Sequence, residues 1–304
     1  MTKSMIIVNP VAGGGNSAKR WGKIEPLLRQ LGYEFDWAFT GRAGGARGLA
    51  ARAVDEGFGT VVAVGGDGTV NEVVDGILSA TGEGGKGISL GIIPTGRGVD
   101  LCRTVGVPLD YSEAAKRLLD ARAVQIDVGE AEYNAGGAVE RRFFANFAGL
   151  GFDVEVSRRA NTIAPKGGGT VPYLSSVFLS LLSYRNRRVE MVLDGEVARK
   201  KIVAIIAANG QYFGGGMRVA PQASPTDGLF DVVVLGDLNR LDLLLNLPRV
   251  YEGTHTTHPK VSITRAQRLE VHSVEPVFFQ VDGDPVGETP VKLRLLPGAI
   301  RLLV

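Results

Sequence analysis

Three glycine-rich runs hold most of the residues able to do chemistry in this chain. Gly65-Gly66-Asp67-Gly68-Thr69 follows the apolar run Thr60–Val64 and opens a helical pattern that includes Glu72. Glycines let backbone N–H groups converge on phosphate oxygens, and a helix beginning at Thr69 adds its positive N-terminal end. The single carboxylate, Asp67, would repel phosphate unless a cation bridged them, so magnesium is expected here. The competing reading is a plain strand-to-helix turn with an aspartate cap. Asn9-Pro10-Val11-Ala12-Gly13-Gly14-Gly15 is a second such turn. It lacks the Lys-Ser/Thr of a P-loop and the spacing of a dinucleotide fingerprint. The third run, Pro94-Thr95-Gly96-Arg97-Gly98-Val99-Asp100, adds another carboxylate and an arginine. An arginine offers several N–H donors and a fixed charge, for which phosphate is a natural partner. Thr40, Gly41 and Arg42 end a further apolar segment and could touch phosphate as well.

The elements that must position these runs alternate over residues 4–126. Ser4–Val8, Tyr33–Phe39, Thr60–Val64 and Leu90–Ile93 read as strands. Trp21, Ile24, Leu27, Leu28 and Leu31 recur at helical spacing, and Ala43–Glu56 reads as a second helix. This order implies a parallel sheet with helices on both faces, whose ligands bind at the carboxyl ends of the strands. All three glycine runs lie at that edge. From about Gln125 the texture changes to short β segments: Ile126–Glu130, Arg142–Ala148, Val189–Leu193, Lys201–Ala208, Leu229–Leu235, Arg268–Ser273 and Val277–Asp282. These read as an antiparallel, sandwich-like second domain, interrupted by helical segments at Pro172–Tyr184 and Arg240–Tyr251. The expected fold is thus an α/β nucleotide-binding domain over 1–125 followed by a β-rich domain over 126–297.

Composition narrows the class. The net charge of +2 over 304 residues gives no global bias toward nucleic acid. One cysteine, Cys102, excludes an internal disulfide framework and suits a reducing cytoplasm; between Leu101 and Arg103 it reads as a packed small residue. The apolar run Met5–Val8 is too short for a signal peptide, and no stretch approaches the roughly 20 apolar residues of a membrane span. Membrane contact, if made, is expected to be peripheral. His255 and His258 have a spacing able to chelate metal, but no carboxylate motif accompanies them, and a polar connection is the expected reading. Val281-Asp282-Gly283-Asp284-Pro285 places two carboxylates after an apolar strand, either as turn formers or as a site.

In combination these motifs resemble a family. Asn9-Pro10 with its glycines, Gly65–Thr69 with Asn71-Glu72, Pro94–Asp100, Asp227-Gly228-Leu229 and Asp282-Gly283-Asp284 are similar to the diacylglycerol kinase catalytic-domain family. The likeness is to its bacterial lipid kinase branch, related to sphingosine and ceramide kinases, and runs over nearly the whole chain. It implies a cytoplasmic, peripherally membrane-associated enzyme using ATP and magnesium, with diacylglycerol or another lipid alcohol as acceptor. It also implies a return of residues 298–304 to the first domain. Asn9, Gly13, Thr40, Gly66, Asp67, Gly68, Thr69, Glu72, Gly96 and Arg97 become nucleotide-site residues. Asp67 and Asp100 join a carboxylate–water–magnesium network, and Asp282 becomes the general base with Asp284 beside it. Leu174, Phe178 and Leu181 would line an acyl-chain site, with Arg185, Arg187 and Arg188 meeting anionic headgroups; a core-packing helix with a solvated basic end is the alternative. The fourth-strand loop departs from the family's usual Gly-Thr-x-Asn-Asp. Thr226-Asp227-Gly228 has one carboxylate fewer than the Asp-Asp-Gly turn that binds a structural magnesium in some relatives, so Asp227 is either a turn cap or a lone remnant of that site. GGDGT is shared with NAD kinases, so a soluble acceptor remains a rival, as does a nucleotide- and lipid-binding protein without turnover. A homodimer stays open.

Overall fold

The computed structural model describes residues 3–82, 84–85, 87–152, 154–155 and 184–304. The expected acyl-site residues Leu174, Phe178 and Leu181 lie outside the described residues. Two compact units divide the chain. The first comprises Met1–Val128, Pro225–Asp227 and Leu296–Val304, and the second Gly129–Ser224 and Gly228–Leu295. Residues 225–227 join the first unit although they lie far along the chain from its main part. Asp127 explains the addition. Its carboxylate accepts from the Gly298 amide at 2.7 Å, and its own N–H donates to the Pro225 carbonyl at 2.7 Å.

In the first unit β1 (Ser4–Val8) pairs in parallel with β2 (Phe35–Phe39) and β3 (Thr60–Gly65), and β3 pairs with β4 (Ser89–Pro94). β3 and β4 are buried along their whole length, as continuous apolar runs covered on both faces must be. Register sets the functional edge. Val8 lies level with Phe39 and Val64, and Gly65 with Pro94, so Asn9, Thr40, Gly66 and Thr95 leave the sheet at one side. Helix α1 (Asn16–Gln30) packs Trp21, Ile24 and Leu28 against Ile6, Val8, Val62 and Val64. α2 (Gly45–Asp55) and α3 (Asp67–Thr81) pack closely on one another. At Gly76 a Cβ would overlap the Arg47 carbonyl oxygen and the Ala50 methyl. Two short helices, α4 (Asp100–Val105) and α5 (Tyr111–Arg117), follow β4.

The second unit is antiparallel. Its strands include part of β5 (Ala123–Ala135), β6 (Ala138–Phe144), β7 (Phe147–Gly151), β8 (Arg187–Leu193), β9 (Glu196–Ile202), β10 (Ala204–Ala208) and β11 (Phe230–Leu235). After α6 (Arg240–Glu252) come β12 (Val261–Ala266), β13 (Arg268–His272), β14 (Phe278–Val281) and β15 (Asp284–Leu303). The end of β15 belongs to the first unit, where Arg301 and Leu302 pair in parallel with Ser89 and Leu90. Two expected strands are each divided. Arg142–Ala148 breaks at Ala145-Asn146, where the backbone turns its amides toward a carboxylate. Lys201–Ala208 breaks at Val203, where the chain leaves β8 and joins β7 and β11. Among the described residues no helix is long and apolar enough to cross a membrane.

The α2–α3 contact yields a test. Gly→Ala inside a helix ordinarily stabilises by about 1 kcal/mol. At Gly76 overlap with rigid backbone should cost about 1–3 kcal/mol and reverse the sign. Chemical denaturation of Gly76→Ala should therefore show net destabilisation; a stabilised variant would refute the close approach.

Candidate active site

The turn after β1 is fastened to the turn after β3 by one amide. Asn9 Nδ2 donates to Thr69 Oγ1 at 3.0 Å, while Asn9 Oδ1 accepts from the Val11 amide at 3.2 Å. Thr69 is buried against Gly65, where any Cβ would strike its side chain. Gly66 and Gly96 approach so closely that a side chain on Gly96 would overlap the Gly66 backbone. The Gly65 carbonyl accepts from the amides of both Thr95 and Gly96. Gly13 (φ 62°) lies against the Thr95 carbonyl oxygen, leaving no room for a side chain. Gly13, Gly66, Thr69 and Gly96 are thus brought into one layer of closely approaching backbone. A Cβ on Gly68 would meet nothing beyond its own helix within 4 Å among the described residues. Thr40 donates its amide to the Val8 carbonyl at 2.9 Å at the same edge.

Asp67 ties the third turn in. Its Oδ1 accepts from the Asp100 amide at 2.7 Å and, more weakly, from that of Leu101 at 3.4 Å. Its Oδ2 lies over Gly98, and Asp100 Oδ2 is 3.9 Å from the position a Cβ on Gly98 would take. Asp100 is almost fully buried, with Arg103 Nε 3.5 Å from its Oδ1. Burial pushes the Asp67 carboxyl above its ordinary value, against the pull of the backbone amides around it. The neighbouring Cys102 thiol is pushed up to about 12, first by burial and then by the Asp67 charge, so it is inert packing. Among the described residues no group of three or more His, Cys, Asp or Glu could hold a metal by itself. Half-buried Asp67 and buried Asp100, both beside Gly98, nevertheless fit a magnesium and would hold it through water.

Two expected nucleotide residues have more specific surroundings than the sequence showed. Glu72 accepts from the Gly44 amide at 3.0 Å and the Ala46 amide at 2.9 Å, so its carboxylate caps α2. Arg97 is exposed and lies on the first glycine loop, with a guanidinium nitrogen 2.6 Å from where a Gly14 Cβ would sit. Sequence reasoning missed Arg20. It donates to the Thr95 carbonyl at 2.7 Å and its guanidinium lies over the Tyr111 ring. Only its position one turn into α1 could have marked it. Ser17, also missed, shares a hydrogen bond of 2.8 Å with Thr95 Oγ1.

In the second unit the late motif is a hairpin turn. Asp282 (φ 45°) and Gly283 (φ 86°) are both left-handed between paired Val281 and Asp284, the pattern of a type I′ turn. The Asp282 carboxylate accepts from the amides of Phe147 at 2.7 Å and of Ala145 and Asn146 at 3.2 Å each. Asp194-Gly195 repeats the device between β8 and β9, with Asp194 accepting from the Gln267 and Arg268 amides. Asp282 differs in its buried neighbours. Asn146 donates to the Tyr212 carbonyl at 2.8 Å while its Oδ1 is buried without a partner among the described residues, and Asn209 donates to the Ala145 carbonyl at 2.7 Å. Asp284 is exposed and paired with Arg142 at 2.8 Å. Asp227, in the first unit, is exposed. Of the arginines near residue 185, Arg187 is paired with Glu275. His255 is buried with Nε2 3.1 Å from the Val219 carbonyl, and His258 takes the Lys260 amide on Nδ1.

The diacylglycerol kinase catalytic domain family matches residues 3–131, and the YegS C-terminal NAD kinase beta sandwich-like domain matches residues 146–304. A diacylglycerol kinase of Mycobacterium tuberculosis is 31% identical over 99% of this chain and 94% of its own length. The chain belongs to the diacylglycerol kinase family. A YegS-like lipid kinase relative from Pseudomonas aeruginosa is 30% identical over 90% of this chain and 86% of its own. A crystal structure of a diacylglycerol kinase from Bacillus anthracis superposes with a TM-score of 0.73 at 23% identity, covering 99% of this chain and 96% of that one. Yeast NADH kinase, with a TM-score of 0.57 at 13% identity over 100% of this chain and 83% of its own, shares the fold. Where the family's asparagine would stand, Val99 is left-handed (φ 47°) and buried.

Burial of Asp67 makes a pH prediction. With its pKa raised in the fold, ionising Asp67 costs stability above the folded value and costs nothing below the unfolded value of about 3.8. Asp67→Asn keeps an acceptor for the Asp100 amide. The apo variant should melt higher than wild type at pH 7, with the gain shrinking as pH falls toward 4. A gain that persists at pH 3.5, or a loss at pH 7, would contradict this.

Proposed function

We propose that this protein is an ATP- and magnesium-dependent lipid kinase that phosphorylates the hydroxyl of diacylglycerol to give phosphatidic acid. The observation that carries the reading is the layer of glycine backbone at one sheet edge closed by the Asp67–Asp100 carboxylate pair. It supplies space for phosphates together with the oxygens a divalent cation would need. The family supports the reaction class.

The residues divide the work. Asn9 and Thr69 hold the turns after β1 and β3 at fixed separation, so backbone N–H groups stay preorganised for phosphate. Arg97, lying on Gly14, adds a fixed charge beside that loop. Magnesium bound through Asp67 and Asp100 would neutralise phosphate charge as it shifts during transfer. The acceptor hydroxyl oxygen bonds to the γ-phosphorus, the bond from that phosphorus to the β–γ bridging oxygen breaks, and ADP leaves. Asp282 is proposed to take the hydroxyl proton; its three amide bonds fix the carboxylate's orientation. Asp284, tied to Arg142, is proposed to orient the acceptor.

Labelled ATP incubated with a total lipid extract, and separately with NAD and NADH, tests the reading. Label should appear in phosphatidic acid; label in the dinucleotide alone would overturn it. Because Asp194 anchors a turn in the same way, it is the control for Asp282. Asp194→Asn should lower stability and leave turnover near wild type. Asp282→Asn should bind nucleotide normally and turn over on the order of 10²-fold more slowly. Equal effects of the two variants on turnover would reduce Asp282 to a turn anchor. Arg97→Thr should weaken ATP binding by roughly 1.5–3 kcal/mol in calorimetry, the scale of a hydrogen bond to a charged group. An unchanged affinity would place the guanidinium outside the phosphate site.

A further inference from the structure

The second unit carries a feature that phosphate transfer does not use. Helix α6 is secured by its ends. Asn239 and Asp242 form a reciprocal capping box, Gly253 (φ 75°) turns the chain away, and Arg249 donates to the Thr254 carbonyl and the Thr257 hydroxyl. Inward, Leu243 and Val250 rest on a core that includes Val203, Ile206 and Val233. Outward, Leu241, Leu244, Leu245 and Tyr251 are 63, 50, 65 and 47% exposed. Spacings of three, four and ten from Leu241 put all four on one stripe. A helix already capped and docked gains nothing for folding from three exposed leucines, and such a patch marks a contact surface.

The charge around the stripe selects the partner. Arg240 opens it, one turn before Leu244, and Lys260 reaches Asp242 at 3.5 Å. Lys201 reaches Asp237 at 3.0 Å. Asn186 donates to Asp237 and to the Leu238 carbonyl, which brings Arg185 to the same end of the helix. Arg185 and Arg240 are exposed, and among the described residues neither has an ion-pair partner. At this end of the helix four cations thus stand against the two carboxylates that Lys201 and Lys260 already engage, while the exposed Glu252 lies at the far end of the stripe. A second copy is the poorer occupant. A helix of 13 residues is about 20 Å long and presents roughly 200 Å² on one face, against about 800 Å² per partner in a stable interface. Two-fold pairing would also set like charges together.

We infer that α6 docks on the surface of an anionic lipid bilayer, its leucines entering the acyl boundary and its basic end meeting the headgroups. The inference rests on the lipid kinase reading for its purpose, but its test does not. Wild type and Leu241→Gln/Leu245→Gln are sedimented with vesicles of phosphatidylcholine containing 30% phosphatidylglycerol and with vesicles of phosphatidylcholine alone. Removing two leucines from the acyl boundary should weaken binding to the anionic vesicles at least 10-fold. Arg240→Gln should weaken it roughly 5-fold, an effect erased in 0.5 M salt. Both variants should melt like wild type and keep wild-type turnover on a short-chain, detergent-dispersed diacylglycerol. Unchanged vesicle binding by the double variant would overturn the proposal. So would a dimeric wild type whose variant becomes monomeric while still sedimenting. Salt-sensitive, leucine-dependent vesicle binding without phosphorylation of any lipid would instead uphold the docking surface and refute the kinase reading.

Discussion

The first unit's site depends on one carboxylate accepting hydrogen bonds from the chain that follows the next strand. Asp67 ends the turn after β3, and the amides of Asp100 and Leu101 begin the short helix after β4. The first amides of any helix lack intrahelical partners, and in a six-residue helix they are a large share of its polar groups. Asp67 supplies the acceptor and thereby fixes Gly96–Asp100 beside Gly65–Gly66. The same carboxylate is the group expected to face the cation. Structural and chemical roles therefore share one side chain, and its burial makes the ion costly until a positive charge arrives.

Carboxylates clamp backbone elsewhere too. Glu72 holds the start of α2, Asp127 the Gly298 amide, and Asp194 and Asp282 the chain facing their hairpin turns. The hydrogen bonds of Asp282 therefore do not by themselves distinguish a base from an anchor. Its surroundings do more. Asp194 bonds at the exposed surface, whereas Asp282 sits beside buried Asn146 and Asn209, where polar groups have been taken out of water at a cost. Such a cost is expected near functional positions rather than at an ordinary turn.

The parallel sheet and its loaded edge were legible because each strand is an apolar run ended by glycine or proline. Period and punctuation suffice to order such strands, and register adds only that the ends align. The second unit was less legible. The break at Ala145-Asn146 is caused by a carboxylate more than 130 residues away, and the break at Val203 by a change of neighbouring strands. Neither leaves a local mark. Arg20 acts through a backbone carbonyl in a distant turn, and Glu72 looked like a member of the glycine motif although it serves α2. In α6 leucines stand on both faces, so periodicity announces a helix without telling which side is covered.

The loop after β4 holds a left-handed residue that is neither glycine nor asparagine. Asparagine is among the few residues that adopt the left-handed conformation easily. Val99 adopts it without that help, at about 1–2 kcal/mol. The valine side chain is 8% exposed, and burying it returns about 1.5 kcal/mol, so the two effects nearly cancel. Arg97 completes the exchange. Where the family has a hydroxyl, a guanidinium lies on Gly14, a position open to it only because residue 14 has no side chain. Packing of Val99 thus offsets its backbone strain, and a charged side chain reaches from this loop across to the first glycine loop. Arg97 belongs together with Gly14, because a side chain at residue 14 would expel the guanidinium from its place on that loop.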